Sequence, residues 1–146
     1  MSGRSERRRK DLKAGAVYFL LVFALGFVLG TLRVMVLAPL IGDSAAVLLE
    51  LPIILTASWL ACGWCLARWS VASGWVDRMA VGITAFALLM AAELAVSVVA
   101  FGRSLDQHLA TYDSAPAVIG LAGQLVFAAF PLLHSATRWR AALART

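Results

Sequence analysis

The stretch LRVMVLAPLIGDSAAVLLELP, Leu32 to Pro52, decides how this chain folds. It joins two long apolar runs through Pro39 and Gly42, and it keeps two full charges, Arg33 and Glu50, in otherwise greasy sequence. Proline discourages helix continuation and glycine marks a turn, so the stretch reads as a tight antiparallel helical hairpin. Asp43 or Ser44 is placed to cap the start of the second helix. The turn centres between Ile41 and Gly42. Residues equally far from that centre along the chain lie at equal depth in the hairpin, and Arg33 and Glu50 are such a pair.

Outward from the hairpin, the apolar character persists. Ala14 to Leu32 carries no charge, and the run continues beyond Arg33. Ser44 to Ala67 is broken only by Glu50, Met79 to Gly102 only by Glu93, and Ala115 to Thr137 holds no carboxylate or arginine. About 20 apolar residues suffice for a helix to cross a bilayer, and lipid leaves helices as the only form that satisfies the backbone of such segments. Hydrophobic residues make up 62% of the chain and charged residues 14%; soluble domains run at about half and a quarter. The expected fold is therefore an all-α integral membrane four-helix bundle, with helices over about 14–38, 44–67, 79–102 and 115–137. The start RRRKDLK faintly echoes a twin-arginine signal. A retained helix is expected instead, because the apolar run is too long for a signal core and Asp11 stands where such a signal wants an apolar residue.

Charge sets the orientation. Of 13 lysines and arginines, six lie in the first 13 residues: Arg4, Arg7, Arg8, Arg9, Lys10 and Lys13. Arg68 and Arg78 flank the link between helices two and three, and Arg138, Arg140 and Arg145 close the chain. Eleven basic residues thus fall on one side, against Arg33 and Arg103 on the other. The positive-inside rule places residues 1–13 and 138–146 in the cytoplasm. Trp64, Trp69, Trp75 and Trp139 gather near the same boundary, as an interfacial aromatic belt does. The net charge of +5 then needs no nucleic-acid partner. The expected partners are the lipid bilayer and either further copies of the chain or a larger membrane complex. The excess of arginine over lysine and the abundance of alanine suggest a bacterium with a GC-rich genome.

The same symmetry applied to the second hairpin, centred near Leu109, sets Glu93 level with Gln124. Each long helix thus brings one strongly polar residue into the half of the membrane away from the termini: Arg33, Glu50, Glu93 and Gln124. A charge at a helix centre costs roughly 2.5–3.5 kcal/mol on insertion scales, so Arg33 should face a carboxylate rather than lipid. Glu50 is the expected ionised partner. Glu93 is then surplus and must be balanced by a proton, a bound cation or water, which makes it the candidate proton carrier. Gly26 and Gly30 form a small-residue pattern for close helix approach. Pro52 and Pro131 lack an amide hydrogen and free the carbonyls of Leu48 and Phe127. The structural alternative is an ion pair that only fixes helix register, or an Arg33 that snorkels to the headgroups.

Other signals are weaker. Cys62 and Cys65 share a helix face, and with His134 form a candidate set for a soft metal; buried cysteine also serves simply as a small apolar residue. Ala87, Ala91 and Ala95 form a stripe expected to be a packing seam. No catalytic constellation and no cofactor motif appears. The segments GTLRVMVLAPLIGDSAAVLLELP and LLMAAELAV resemble short bacterial inner-membrane proteins that have no assigned activity. That resemblance implies an inner-membrane location and no site. In length the chain is also similar to small multidrug transporters, which carry a membrane glutamate in the first helix; Arg33 stands there instead, and the charge bias opposes dual topology.

The functional expectation is a small polytopic inner-membrane protein engaged in transport or proton-coupled work around the polar cluster. The alternative is a non-catalytic subunit or assembly factor of a larger membrane complex. An enzyme acting on lipid comes third, because no nucleophile neighbours the carboxylates. The topology is directly testable by single-cysteine labelling at Ser73 and Ser104, in a background lacking Cys62 and Cys65. An impermeant reagent applied to intact cells should reach position 104 and not position 73; labelling of 73 overturns the orientation.

Overall fold

The computed structural model describes residues 2–143, with side chains described between residues 3 and 135. The side chains of Arg138, Trp139 and Arg140, and the whole of Arg145, lie outside the described residues. Nearly all the described residues are helical, and no strand occurs among them. Helix α1 (Ser2–Leu32) runs into a π-helical turn (Arg33–Leu37) and a short α2 (Ala38–Ile41). Then come α3 (Asp43–Arg68), α4 (Trp75–Ala95), a second π-helical turn (Val96–Ala100), α5 (Leu105–Ala110), a 3-10 turn (Thr111–Asp113) and α6 (Ala115–Leu143). Four of the resulting rods are long and apolar enough to cross a membrane.

Helix α1 starts well before the apolar run. The rod that includes α2 spans 39 residues from Gly3 to Ile41, on the order of 58 Å at 1.5 Å per residue. The basic N-terminal segment favours this, because arginine and lysine are good helix formers. Glu6 and Lys10 add a pair one turn apart at 3.1 Å. Near Pro39 the bonding register changes: the Ala38 amide donates to the carbonyl of Arg33, five residues back. Proline cannot supply the next rung of an ordinary ladder, and the π turn absorbs the mismatch. Gly42 turns the chain with φ +83°, in the left-handed region that glycine occupies without penalty. Neither Asp43 nor Ser44 caps α3. Gly42 is the cap residue and makes no side-chain bond, while Asp43 enters the first turn, where its charge opposes the positive end of the helix dipole.

The helices form a closed ring in which α1 and α6 are diagonal. Helix α1 packs on α3 and α4, and α6 packs on the same two. The link from α3 to α4 therefore crosses a diagonal. Arg78 secures it: its guanidinium is 2% exposed and donates to the carbonyls of Ala72 at 2.9 Å and Val71 at 3.4 Å. Asp11 is buried near Arg78 and hydrogen-bonds with Asp77, which is only partly buried, and Arg7 reaches Asp77 at 3.9 Å.

The core lies in the half of the bundle nearest the termini. Ala14, Tyr18, Cys62, Cys65, Val81 and Ala85 are fully buried there. Packing is closest at Gly82, where a Cβ would run into the backbone oxygen of Ala128, so the α4–α6 crossing requires glycine. Across the diagonal, Tyr18 stacks on Phe127 with ring centroids 4.4 Å apart, and its hydroxyl donates to the Phe127 carbonyl at 2.9 Å. This is the carbonyl that Pro131 leaves without a helical partner. The outer surface is the reverse of a soluble protein's: Leu20, Val28, Met35, Leu60, Ile83 and Val99 are all exposed. No more than 22% of the most apolar window of any rod is buried inside the bundle, so the apolar surface is directed outward.

Tyr18→Phe keeps the ring stack and removes only the hydroxyl. It should destabilise the protein by about 0.6–2 kcal/mol, the range for a single intramembrane or buried hydrogen bond, read as a lowered midpoint of thermal unfolding in mild detergent. An unchanged midpoint would show that water or a neighbouring donor serves the Phe127 carbonyl equally well.

Candidate functional site

Away from the termini the helices line a cavity of about 780 Å³. It is open, and all four long helices and the segment from Phe101 to Pro116 contribute to its lining. The volume falls within the roughly 300–1,000 Å³ of small-molecule sites.

Arg33 and Glu50 face each other across the first hairpin. Arg33 opens the π turn of the first rod, and its Nε donates to Glu50 Oε2 at 2.6 Å. The two side chains are 26% and 15% exposed, so Arg33 is engaged with the carboxylate rather than directed outward. Charge-assisted bonds of this length are about twice as strong as neutral ones, and the pair removes most of the cost of placing either charge among apolar groups.

Glu93 and Gln124 meet across the second hairpin. Gln124 Nε2 donates to Glu93 Oε1 at 2.5 Å. All four residues singled out in the sequence therefore line one cavity, as two separate pairs. Arg33 serves Glu50, and a neutral amide serves Glu93. The segment between α4 and α6 adds Arg103, His108 and Tyr112 to the lining. Ser104 and Gln107 form a capping box at the start of α5, and His108 meets Tyr112 edge to face at 5.7 Å. Tyr112 sits near enough to Glu93 to feel its charge. Burial first and that carboxylate second raise the phenol above its usual range, so the ring presents a protonated hydroxyl.

Several sequence expectations are not met by the geometry. Gly26 and Gly30 do not make a tight helix crossing. A Cβ on Gly26 would meet only Ile54 at 3.8 Å, and one on Gly30 only the Arg33 guanidinium at 4.0 Å. Both line the cavity: their missing side chains leave room rather than close it. Ala87, Ala91 and Ala95 are exposed. The inward face of α4 is carried by Val81, Gly82, Ala85 and Leu89, so the alanine stripe is no seam within the bundle. Cys62, Cys65 and His134 are not assembled as a metal set. His134 Nε2 lies 3.0 Å from the Trp59 carbonyl, and its ring stacks on Trp59 at 3.7 Å. No group of three potential ligands converges among the described residues.

Other cavity residues were not singled out from sequence. Ser97 lies one turn beyond Glu93 in the second π turn and is buried. Its position four residues after a carboxylate set in an apolar run was the available signal. The S-x-x-Q pattern of Ser104 and Gln107 would equally have announced α5. Comparison with protein-family models, with curated proteins and with solved structures finds no match.

The first pair is testable by double-mutant cycle. Arg33→Leu or Glu50→Leu leaves an uncompensated charge and should lower accumulation and thermal stability. The exchange Arg33→Glu with Glu50→Arg should recover part of the loss, with a coupling energy of about 0.5–3 kcal/mol. Additive losses would mean that the two groups do not depend on each other.

Proposed function

We propose that this chain is an integral protein of the bacterial inner membrane, with both termini cytoplasmic, and that its cavity binds a small molecule whose movement is coupled to protons. The observation that carries this reading is the convergence of one polar residue from each long rod on one cavity, in a molecule whose remaining surface is largely apolar. A structural ion pair alone would account for Arg33 and Glu50. It does not account for Glu93, which no arginine or lysine pairs with among the described residues. Desolvated carboxylates inside membranes are expensive and characteristically serve ion or proton pathways. The eleven-to-two distribution of basic residues and the exposure of Trp64 and Trp75 support the orientation.

A second reading, a non-catalytic subunit of a membrane complex, is favoured by the exposed alanine stripe on α4. A face of small residues lets another helix approach closely. The protein solubilised in mild detergent and weighed as a complex separates the readings: a transporter is recovered alone or as a homo-oligomer, an accessory subunit with another chain.

Function is tested with Glu93→Gln, which keeps the shape and the contact with Gln124. Proton flux into liposomes should be present with the wild-type protein, during a screen of cations and small amphiphiles, and fall to that of empty liposomes in the variant. Equal flux in both would exclude Glu93 as the carrier, and no flux from wild type under any condition would favour the accessory-subunit reading.

A further inference from the structure

The cavity opens on one side. The lining residues that α3 and α6 supply are buried or half-buried without exception. The exposed ones lie on the first rod, at Phe27, Thr31, Val34 and Met35, or beyond the end of α4, at Phe101, Arg103 and Ser114. Packing agrees. The first π turn packs on α3 and on its own rod, and the second on α4 and α5; among the described residues neither packs substantially on the other's rod. The first rod and α4 meet closely lower down, where a Cβ on Gly15 would lie 2.8 Å from the Val81 carbonyl oxygen. The opening is therefore a slot between the first rod and the far end of α4.

That slot lies at the depth of lipid chains. Two hairpins in series run the first rod and α4 in the same direction, and Gly15 opposite Val81 fixes their register. Twelve residues on, Phe27 is level with Glu93, and eight further, Met35 is level with Phe101. Phe27 stands eleven residues inside Ala38, where the first apolar span ends. At 1.5 Å per residue that is about 16 Å, half of the roughly 30 Å hydrocarbon core. The rim over this distance is apolar, with Phe27 57%, Val34 59%, Met35 74% and Phe101 67% exposed. Such a rim admits hydrocarbon more readily than a hydrated solute. Behind it the walls include Phe23, Ile54, Leu89, Leu121 and Phe127. The strongly polar groups inside are bonded to one another, Arg33 to Glu50 and Gln124 to Glu93, which leaves the apolar walls to an apolar guest. Arg103 lines the mouth at the membrane boundary. Its guanidinium lies over the Phe101 ring at 5.4 Å and joins no ion pair among the described residues. A guanidinium at that level matches a lipid phosphate.

We propose that the cavity takes its ligand sideways from the bilayer leaflet away from the termini, and that the ligand is a phospholipid. One hydrocarbon chain enters through the slot between the first rod and α4, and the phosphate head stays outside beside Arg103. This rests on the reading of the cavity as a small-molecule site in a membrane, and it adds the class of ligand and the route of entry. Gly26 and Gly30 line the cavity on the rod that borders the slot, with no close neighbour where a Cβ would stand.

Photo-crosslinking of the full-length protein in nanodiscs tests this, with phosphatidylglycerol that carries a diazirine at the end of one acyl chain and with adducts mapped by peptide mass. Surrounding lipid reaches Leu20, Leu60 and Ile83 on the outer surface. Adducts should appear as well on Leu121 and Phe127, which line the cavity and are not exposed. Gly120 also lines the cavity, and a Cβ there meets no atom within 4 Å. Gly120→Leu should therefore fill the space, abolish the interior adducts and leave the outer ones unchanged. Should Gly120→Leu lower the thermal midpoint, Gly26→Leu is the second plug. A diacylglycerol with the same chain lacks the phosphate. It should label the interior about threefold less, the scale of an exposed ion pair, and Arg103→Gln should remove the difference. Adducts confined to the outer surface, or interior adducts that persist in both plugged variants, overturn the proposal. Interior labelling equal for the two lipids, or indifferent to Arg103→Gln, overturns the place given to the head. Flux in the liposome screen without interior adducts leaves the cavity a site for a solute from water; absence of both removes the binding-site reading as well.

Discussion

The bond from Tyr18 to the Phe127 carbonyl holds the two diagonal helices of the bundle together. It exists because Pro131 cannot donate to that carbonyl, and an unserved carbonyl in an apolar interior costs about 1–3 kcal/mol. The tyrosine meets two needs at once. Its ring fills the centre of the core against Phe127, and its hydroxyl satisfies the oxygen. With α1 and α6 tied there, α3 and α4 pack on both, and Gly82 lets α4 approach the backbone of α6. The tight half and the open half of the molecule meet near this level.

The open half depends on the closed one. A cavity lined by four helices needs those helices fixed somewhere else, and the buried layer from Ala14 through Cys62, Val81 and Phe130 fixes them. The two π turns lie at the cavity end, and each contributes a polar residue to its lining, Arg33 and the buried Ser97. A π turn inserts an extra residue into the helical repeat and rotates the next turn of helix about its axis, which is why such turns gather at functional sites. Glycines at positions 26 and 30 line the same cavity, and the space at Gly30 borders the Arg33 guanidinium.

Much of this was legible in the sequence, for a simple reason. Hairpin geometry is linear arithmetic: equal distances from a turn give equal depth. That arithmetic places Arg33 opposite Glu50 and Glu93 opposite Gln124, the pairs that the structure joins. The freed Phe127 carbonyl followed equally from Pro131. What could not be read is rotation about the helix axis. A 3.6-residue period says that Ala87, Ala91 and Ala95 share a face, not which way that face points, and it points out. Gly26 and Gly30 carried the same ambiguity between close contact and open space. The π turns were hidden because they arise from bonding register rather than composition, and Ser97 was hidden with them.

Neither polar pair reaches from one hairpin to the other. Arg33 and Glu50 are 17 residues apart, and Glu93 and Gln124 are 31 apart, whereas the Tyr18 bond spans 109. Closing a short loop costs less entropy than closing a long one. Each hairpin can therefore mask its own polar groups as soon as its second helix has been made. The first half of the chain has no need to hold an exposed arginine while the second half is still being synthesised. What is left for the docking of the finished halves lies at the other end of the bundle: the tyrosine bond, the contact of His134 with the Trp59 carbonyl, and the approach of Arg7 to Asp77.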